Sequence, residues 1–365
     1  ITGVKAYLNE EKKENASLAL LGELDALRIP EHAYVNPETD AAHCCGHHAQ
    51  MAGIFGAALA LTVPEIAEKL GGQVVFFATP AEEYGEIEFK NQLREQGKIR
   101  YGGGKCELIR TGAFDDIDLC LAHHIQPGDE IQVGSGTGNG FVSKVIRYLG
   151  KAAHAAGAPD KGVNALSAAS LGLQALGLNR ETFRDEDCVR VHPIITKGGN
   201  LVNVIPDEIV IETLVRAKTI EAFTDAAKKT DRSFQAGAVA MGAKVEITTL
   251  PGYLPTLAEQ ALPELKRAAE LAAPEVPVRE AAGHSGGDVQ HLMPVYTFNT
   301  GGVKGGLHQI NFEVTNEEEA YIDTAKMFAL AAYGLLKEKA ARSKELVKNY
   351  KPVFKDSAEY TKFME

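Results

Sequence analysis

The sequence predicts an α/β protein whose main domain is interrupted by a smaller α+β domain. In residues 1–138, apolar strand-like runs alternate with helix-like segments, which is typical of a largely parallel sheet with helices on its faces. In residues 139–250 the pattern changes, and from residue 251 the first pattern resumes. We therefore predict a main domain of residues 1–138 and 251–365, with residues 139–250 inserted into it.

The first part of the main domain contains alternating predicted strands and helices. They are strand 17–21, helix 50–61, strand 73–78, a helix near 88–96 and strand 118–123. The glycine-rich stretch 134–140 follows them and resembles a phosphate-binding loop. No Lys-Ser/Thr ending in a strand–loop–helix context follows it, so we interpret it as a hinge.

The insert has its own regular pattern. Strands predicted at 142–148, 189–195, 208–215 and 244–249 enclose helices at 164–178 and 219–241. Two strand–helix–strand halves of this size fit a ferredoxin-like fold. After the insert, a long amphipathic helix begins near Asn316, and its acidic first turn suits the helix dipole. We expect the charged segment after Glu338 to be a solvated extension.

Length and composition limit the possible functions. The 365 residues exceed the usual size of a single core, and 45% apolar with 24% charged residues is typical of a soluble globular protein. The net charge of −11 argues against a nucleic-acid partner, and no apolar run long enough to span a membrane is present. The five cysteines are an odd number, which favours a reducing compartment. We expect a cytoplasmic protein that acts on a small molecule.

The segment 43–48 (His-Cys-Cys-Gly-His-His) concentrates side chains that bind metal ions. Thiolates and imidazoles are ligands for borderline divalent cations, and the paired carboxylates of Glu82 and Glu83 could add one ligand and one proton carrier. Cys45 and His47 are two positions apart, which suits a loop that wraps a cation better than one face of a helix. The segment predicts a hydrolytic metal site, and the alternative is a coincidental turn rich in histidine and cysteine.

Further candidate ligands follow predicted strands. The histidine pair 123–124 ends an apolar run, the glutamate pair 82–83 follows the strand at 73–78, and His308 lies in a late glycine-rich loop. Open α/β sheets bind ligands at the carboxyl edge of their strands, so we expect these groups to meet there. For each histidine taken alone, the alternative is a hydrogen-bonded residue at a strand end.

In this order, the motifs resemble the M20 family of metallopeptidases and amidohydrolases. The similarity is to its branch of p-aminobenzoyl-glutamate hydrolase and N-acyl-amino-acid amidohydrolases. The matching segments are Glu-Leu-Asp-Ala-Leu at 23–27, His-Cys-Cys-Gly-His-His at 43–48, Thr-Pro-Ala-Glu-Glu at 79–83, the strand that ends in histidine at 118–124, Gly-Lys-Ala-Ala-His-Ala at 150–155, Asn-Val-Ile-Pro at 203–206 and Leu-His at 307–308. The resemblance implies a zinc-exopeptidase-like mixed sheet, an insert that acts as a lid and dimerises, and further residues before Thr2.

The resemblance also implies one or two divalent metal ions, Mn or Zn. Their ligands would be Cys45, His47, Glu83, His124 and His308. Such an ion lowers the pKa of its water and polarises the scissile carbonyl, and Glu82 would move the water's proton to the leaving nitrogen. The alternative for Glu82 is a surface carboxylate. Asp25, at the end of the first core strand, is expected to orient a ligand imidazole.

Three residues of the insert receive roles from the resemblance. His154 would reach a neighbouring subunit's site and stabilise the tetrahedral oxyanion, which requires a homodimer or a higher homo-oligomer. Asn203 and Arg216 would bind the substrate's carboxylate. The alternatives are a solvated loop histidine for His154, a turn cap for Asn203 and a surface ion pair for Arg216.

Two departures from the family pattern affect the substrate. His48 stands where the family has Asp or Asn, and it could add a ligand or alter the hydrogen bonds around one. In the segment 284–288, Gly287 replaces a larger side chain and so reshapes the pocket, while Asp288 is expected to lie just outside the ligands. We predict a hydrolase that cleaves the C–N bond of an N-acyl or aroyl amino acid. Deamination of an aromatic amine such as 5-nitroanthranilate remains an alternative, as does a non-catalytic relative that only binds a ligand or a subunit.

Overall fold

The computed structural model describes residues 2–283 and 287–365, and the chain divides into two compact units. Unit 1 comprises Ile1–Thr137 and Thr256–Glu365, and unit 2 comprises Gly138–Pro255. The boundaries lie within one residue of the predicted start of the insert and five residues beyond its predicted end. In the described part of the chain, no helix combines the length and the apolar character that crossing a membrane requires.

The first segment of unit 1 alternates strands and helices. Its elements are β1 (Val4–Leu8), β2 (Ser17–Glu23), β3 (Leu27–Arg28), β4 (Ala41–Ala42), α1 (His47–Leu61), α2 (Pro64–Ala67), β5 (Gln73–Thr79), α3 (Ile87–Glu95), α4 (Gly104–Arg110), β6 (Leu119–Ile125) and β7 (Ile131–Ser135). Every residue of β2 is buried, as is typical of a parallel strand that is covered on both faces.

Unit 2 is an antiparallel sheet with two helices. Its elements are β8 (Gly140–Leu149), α5 (Ala165–Asn179), β9 (Arg190–Val191), β10 (Ile194–Lys197), β11 (Glu208–Ala217), α6 (Ile220–Met241) and β12 (Lys244–Pro251). The strand order is β10-β11-β8-β12, and the short β9 also pairs with β11. Alternate residues of β11 are buried against a core that includes Phe234 of α6. Without the two-residue β9, the order of elements is the β-α-β-β-α-β pattern of ferredoxin-like folds.

The last segment returns to unit 1. Its elements are α7 (Pro263–Ala272), β13 (Val278–Gly283), β14 (Val295–Thr300), β15 (Val303–Lys304), β16 (Glu313–Val314), α8 (Thr324–Asn349) and α9 (Ser357–Met364). A π-helical turn, Glu318–Asp323, precedes α8, and the helix is interrupted at residues 337–340. The expectation of a solvated extension after Glu338 is wrong, because Ser343, Phe354 and Tyr360 are buried.

The main sheet of unit 1 has the order β1-β5-β2-β6-β14-β7-β13. The four strands β5, β2, β6 and β14 run parallel, whereas β1 and β7 are antiparallel to their neighbours β5 and β14. The prediction of an α/β protein with a mixed, helix-flanked sheet is therefore confirmed. Because the parallel strands end at the same edge, Glu23 lies beside Thr79, and His124 lies beside Asn299.

Candidate metal centre

The five predicted metal ligands converge at the carboxyl edge of the parallel strands in unit 1. Cys45 and His47 flank the start of α1, Glu83 follows β5, His124 is in β6, and His308 lies in the loop after β15. The Cys45 Sγ atom is 3.4 Å from His124 Nε2 and 3.1 Å from His308 Nε2, and His308 Nε2 is 2.9 Å from Glu83 Oε1.

These side chains form two overlapping groups of donor atoms. Cys45, His47 and His124 make one group, Cys45, Glu83 and His308 make the other, and the donor atoms of each group lie within 4.8 Å of one another. Thiolate, imidazole and carboxylate are suitable ligands for Zn²⁺, and imidazole and carboxylate also suit Mn²⁺. The donor set therefore fits one or two divalent ions, with the Cys45 sulfur common to both groups.

Gly46 allows the chain to turn between the two ligands at the start of α1. Its φ of +84° is in the left-handed region, and a Cβ atom there would lie 2.0 Å from Ile125 Cγ2. Only glycine satisfies both requirements without strain or displacement of Ile125. The turn places Cys45 on the loop and His47 in the first turn of the helix.

Replacing Gly46 with alanine is expected to lower the free energy of unfolding by about 2–5 kcal/mol, through left-handed strain and overpacking against Ile125. The matched control is Gly334→Ala in α8, where the nearest atom to a new Cβ is Glu264 Cγ at an ordinary 3.6 Å. The free energy of unfolding of the control should rise by about 1 kcal/mol, because alanine has a higher helix propensity than glycine. Denaturant unfolding measures both variants, and wild-type stability in Gly46→Ala would contradict this account of the turn.

The turn after β5 leads into the two adjacent glutamates. Ala81 has a φ of +52°, and its carbonyl accepts a hydrogen bond from the Gly104 amide at the start of α4. The Glu83 amide donates to Asp25 Oδ2 at 2.7 Å. The Glu82 carboxylate lies 3.9 Å from His47 Nε2, while the Glu83 carboxylate contacts His308. The pair is thus divided between different imidazoles.

A backbone contact fixes the late histidine beside the early loop. The His308 amide donates a 2.8 Å hydrogen bond to the Cys44 carbonyl, and His308 itself has a φ of +63°. A non-glycine residue in the left-handed region is uncommon and costs conformational energy. The contact explains how residues more than 260 positions apart share one site.

Asp25 contacts the imidazole of His47, and its role in orienting a ligand stays a prediction. The His47 Nδ1 atom is 3.0 Å from the Asp25 carbonyl oxygen and 3.4 Å from Asp25 Oδ1. Burial lowers the pKa of His47, but the bond to Asp25 and the nearby carboxylates of Glu23 and Glu82 outweigh it and raise the pKa to about 9. Burial raises the pKa of Asp25, but its hydrogen bonds with His47 and Glu83 leave the pKa below its usual value.

Without a cation, the cluster disfavours the charged form of the thiol. Burial and then the Glu83 carboxylate raise the pKa of Cys45 well above its ordinary value. Burial and the adjacent Glu82 also raise the pKa of Glu83. A divalent cation reverses this electrostatic balance, because a coordinating thiol loses its proton. A bound cation would therefore favour the charged forms of Cys45 and Glu83.

Two residues expected just outside the ligands have other neighbours. The His48 ring meets Tyr321 edge-on at 5.8 Å, and it lines a cavity of about 610 Å³ with His43. Burial lowers the pKa of His48 to about 4, which keeps its ring neutral. The buried Asp288 accepts a 2.7 Å hydrogen bond from the Tyr360 hydroxyl. His284 lies outside the described residues.

The three candidate residues of the insert are exposed in unit 2. His154 Nδ1 accepts a 2.9 Å hydrogen bond from the Gly157 amide, and His154 pairs with Val204 in an isolated bridge. This bridge brings Asn203 close to His154 in the fold. The Arg216 guanidinium lies over the Phe141 ring, 5.0 Å from its centre. The roles assigned to His154, Asn203 and Arg216 stay predictions.

Glu23 and Lys105 belong to the site but are not among the predicted site residues. Glu23 Oε2 lies 3.1 Å from His47 Nε2, and the Lys105 ammonium contacts Glu23 Oε1. Glu23 stood inside a motif segment and could have been noticed as a carboxylate at the end of a strand. Lys105 follows three glycines and carries no comparable signal.

The fold and the site define the class: an α/β protein with an inserted α+β unit and a cluster of metal-binding side chains at its sheet edge. Residues 19–333 match the profile of "Peptidase family M20/M25/M40". The chain belongs to this family, as the motifs indicated.

Several characterised proteins are similar in sequence. Human Xaa-Arg dipeptidase is 32% identical over 210 residues, which are 56% of this chain and 43% of that protein. The N-acetyl-L-cysteine deacetylase of Bacillus subtilis strain 168 is 31% identical over 226 residues, 59% of this chain and 49% of that protein. One of the subunits of p-aminobenzoyl-glutamate hydrolase from Escherichia coli strain K12 is 30% identical over 208 residues, 55% of this chain and 39% of that protein. The matches span less than half the length of these relatives.

Solved structures share the fold. A Bacillus subtilis dinuclear metal-binding peptidase of the M20 family superposes with a TM-score of 0.62 at 24% identity, covering 92% of this chain and 85% of that one. An aminobenzoyl-glutamate utilization protein from Klebsiella pneumoniae gives a TM-score of 0.61 at 19% identity, covering 92% of this chain and 75% of that one.

Proposed function

We propose that this protein is a metal-dependent hydrolase that cleaves the C–N amide bond of an N-acyl amino acid or a dipeptide, with p-aminobenzoyl-glutamate among the candidate substrates. The observation that carries the proposal is the convergence of a thiol, three imidazoles and a carboxylate, with Glu82 beside them. The names of the similar proteins, a dipeptidase, a deacetylase and a p-aminobenzoyl-glutamate hydrolase, support the same bond type.

In the proposed reaction Cys45, His47, Glu83, His124 and His308 would hold one or two divalent ions, Mn or Zn. When bound, a divalent ion acidifies water and polarises the scissile carbonyl. Glu82 accepts the proton of the attacking water and then donates it to the leaving nitrogen. Asp25 holds the His47 ring in one orientation through Nδ1, which leaves Nε2 directed towards the carboxylates of Glu23 and Glu82.

For unit 2 we propose substrate recognition and self-association. His154 would stabilise the oxyanion in a partner copy's site, and Asn203 and Arg216 would bind the substrate's carboxylate. Apolar side chains are exposed at the edge strand β10 and in the loop after it, where Ile194 is 62% exposed and Leu201 is 65% exposed. Exposed apolar groups on an edge strand favour pairing with another chain, which supports a homodimer or a higher homo-oligomer.

We also propose a cytoplasmic location. All five cysteines are described and are free thiols, and four of them are buried. Free cysteines in an odd number are typical of a reducing compartment. A non-catalytic relative would have no need for a carboxylate base such as Glu82 beside a complete ligand set, so we favour the enzyme.

A hydrolysis screen tests the proposed activity. Protein loaded with Mn²⁺ or Zn²⁺ is incubated with N-acyl amino acids, dipeptides, p-aminobenzoyl-glutamate and 5-nitroanthranilate, and a chelated sample is the control. We expect turnover of at least one amide substrate, and loss of that turnover on chelation. Turnover of 5-nitroanthranilate alone would indicate that the enzyme cleaves the C–N bond of an aryl amine and not that of an amide. Protein that neither binds metal nor turns over any substrate would overturn the proposal.

A further inference from the structure

A buried ion pair lies directly behind His47. The Lys105 ammonium contacts Glu23 Oε1, and the two residues are only 7% and 4% exposed. Removing two charges from water is costly, and an apolar pair of similar volume would often stabilise the fold as well. Stability alone therefore does not explain why an ion pair occupies this buried position.

The Glu23 carboxylate is held with one oxygen directed at His47. Gln50 accepts a hydrogen bond from the Glu23 amide and donates one to Glu23 Oε2, both at 2.8 Å. Lys105 occupies the other oxygen, Oε1. Oε2 also lies 3.1 Å from His47 Nε2.

The Nε2 atom of the same imidazole faces the carboxylates of Glu23 and Glu82. His47 is fully buried, and within the described residues Nε2 makes no hydrogen bond. If Nδ1 carries the ring proton and donates it to the Asp25 carbonyl, then Nε2 presents a lone pair to the oxygens of Glu23 and Glu82. Lone pairs that face each other repel unless a proton or a cation lies between them.

The donor atoms of Glu23, His47 and Glu82 form a third group within 4.8 Å of one another. This group shares His47 with the group of Cys45 and His124. Carboxylate oxygen and imidazole nitrogen together form a normal ligand set for Mn²⁺ or Zn²⁺. Glu23 thus stands where it would complete the shell of the ion that His47 holds.

We propose that Glu23 is a further carboxylate ligand of the His47 ion, and that Lys105 is a positioning residue which fixes the carboxylate and limits its charge. This inference rests on the metal centre of the proposed function. It assigns opposite effects to the two members of one ion pair. Loss of Glu23 removes a ligand, whereas loss of Lys105 leaves the ligand more negative.

The test compares wild type with Glu23→Gln, Lys105→Met and the double variant. Each protein is stripped of metal, titrated with Zn²⁺ or Mn²⁺ against a competing chelator, and melted with and without metal. We expect Glu23→Gln and the double variant to bind the His47 ion at least about 10-fold more weakly. Lys105→Met should bind it as tightly as wild type or more tightly. The visible spectrum of Co²⁺-loaded protein should change only where Glu23 is replaced.

Thermal unfolding separates ligation from folding. Each single variant removes one member of the buried ion pair, so both metal-free proteins should melt below wild type. Metal should restore the melting temperature of Lys105→Met but not that of Glu23→Gln. The double variant has no unpaired charge and keeps the test valid if a single variant fails to fold.

Two results would overturn the inference. Wild-type metal affinity and an unchanged Co²⁺ spectrum in the double variant would show that Glu23 is not a ligand, while the proposed function stands. An equal loss of metal affinity in Lys105→Met and Glu23→Gln would assign the pair to folding alone. Wild-type protein that binds no ion would end this inference and the proposed function together.

Discussion

Glu82→Gln is expected to lower kcat by about 10²–10⁴-fold while the bound metal stays at the wild-type amount. Glutamine keeps the size of the side chain but cannot accept the proton of the attacking water. The Glu82 carboxylate lies 3.9 Å from His47 Nε2, whereas the carboxylate of the neighbouring Glu83 contacts His308. Steady-state kinetics on the best substrate of the screen, with metal analysis of the same samples, measures both quantities.

Glu88→Gln is the matched control for this prediction. Glu88 is an exposed carboxylate in the first turn of α3, six positions along the chain, and it belongs to none of the donor groups found in the described residues. It should keep wild-type kcat and KM. Full activity in Glu82→Gln would refute the assignment of the proton carrier, and lost activity with lost metal would make Glu82 a ligand.

Cys45→Ala should remove the metal centre as a whole. The Cys45 sulfur belongs to both groups of predicted ligands and lies between His124 and His308. Residues that only hydrogen-bond to a ligand typically contribute about 10- to 100-fold to metal affinity. Loss of a ligand shared by both groups should weaken metal binding by more than that. An ion present at 100 times its Kd stabilises the folded state by about 2.7 kcal/mol, so the metal-dependent rise in Tm should also vanish.

Cys44→Ala provides the control one residue away. Cys44 is fully buried in an apolar cluster with Ala42, Ile125 and Phe312, and it is in none of the donor groups of the described residues. Its replacement should cost about 1 kcal/mol of unfolding free energy and leave metal content unchanged. Equal metal content in the two alanine variants would contradict the assignment of Cys45 as the shared ligand.

Much of the fold could be predicted because local pattern and architecture agree. Largely apolar runs such as 17–21 and 73–78 are typical of parallel strands that are covered on both faces, and such strands place their carboxyl ends at one edge. That geometry explains why residues as distant as Cys45 and His308 could be expected to meet. The short β1 at the sheet edge has no such run, and nothing in its pattern predicts a strand.

The parts that escaped prediction depend on long-range partners. Lys105 appears in the sequence as an ordinary charged residue, because the carboxylate that permits its burial lies 82 positions earlier. Tyr360 lies in a charged terminal segment, yet it is buried. Its hydroxyl donates a hydrogen bond to Asp288, 72 positions earlier, and this bond satisfies the buried polar group. The composition of a segment predicts its average exposure. Whether one polar side chain can be buried depends on a hydrogen-bond or charge partner that is distant in the sequence.

Anomalous diffraction from crystals of the Mn²⁺- or Zn²⁺-loaded protein tests the metal centre most directly. We expect one or two anomalous peaks within coordination distance of the Cys45 sulfur, enclosed by His47, Glu83, His124 and His308. Absence of a peak at the carboxyl edge of the main sheet, or a peak held by other side chains, would contradict the account.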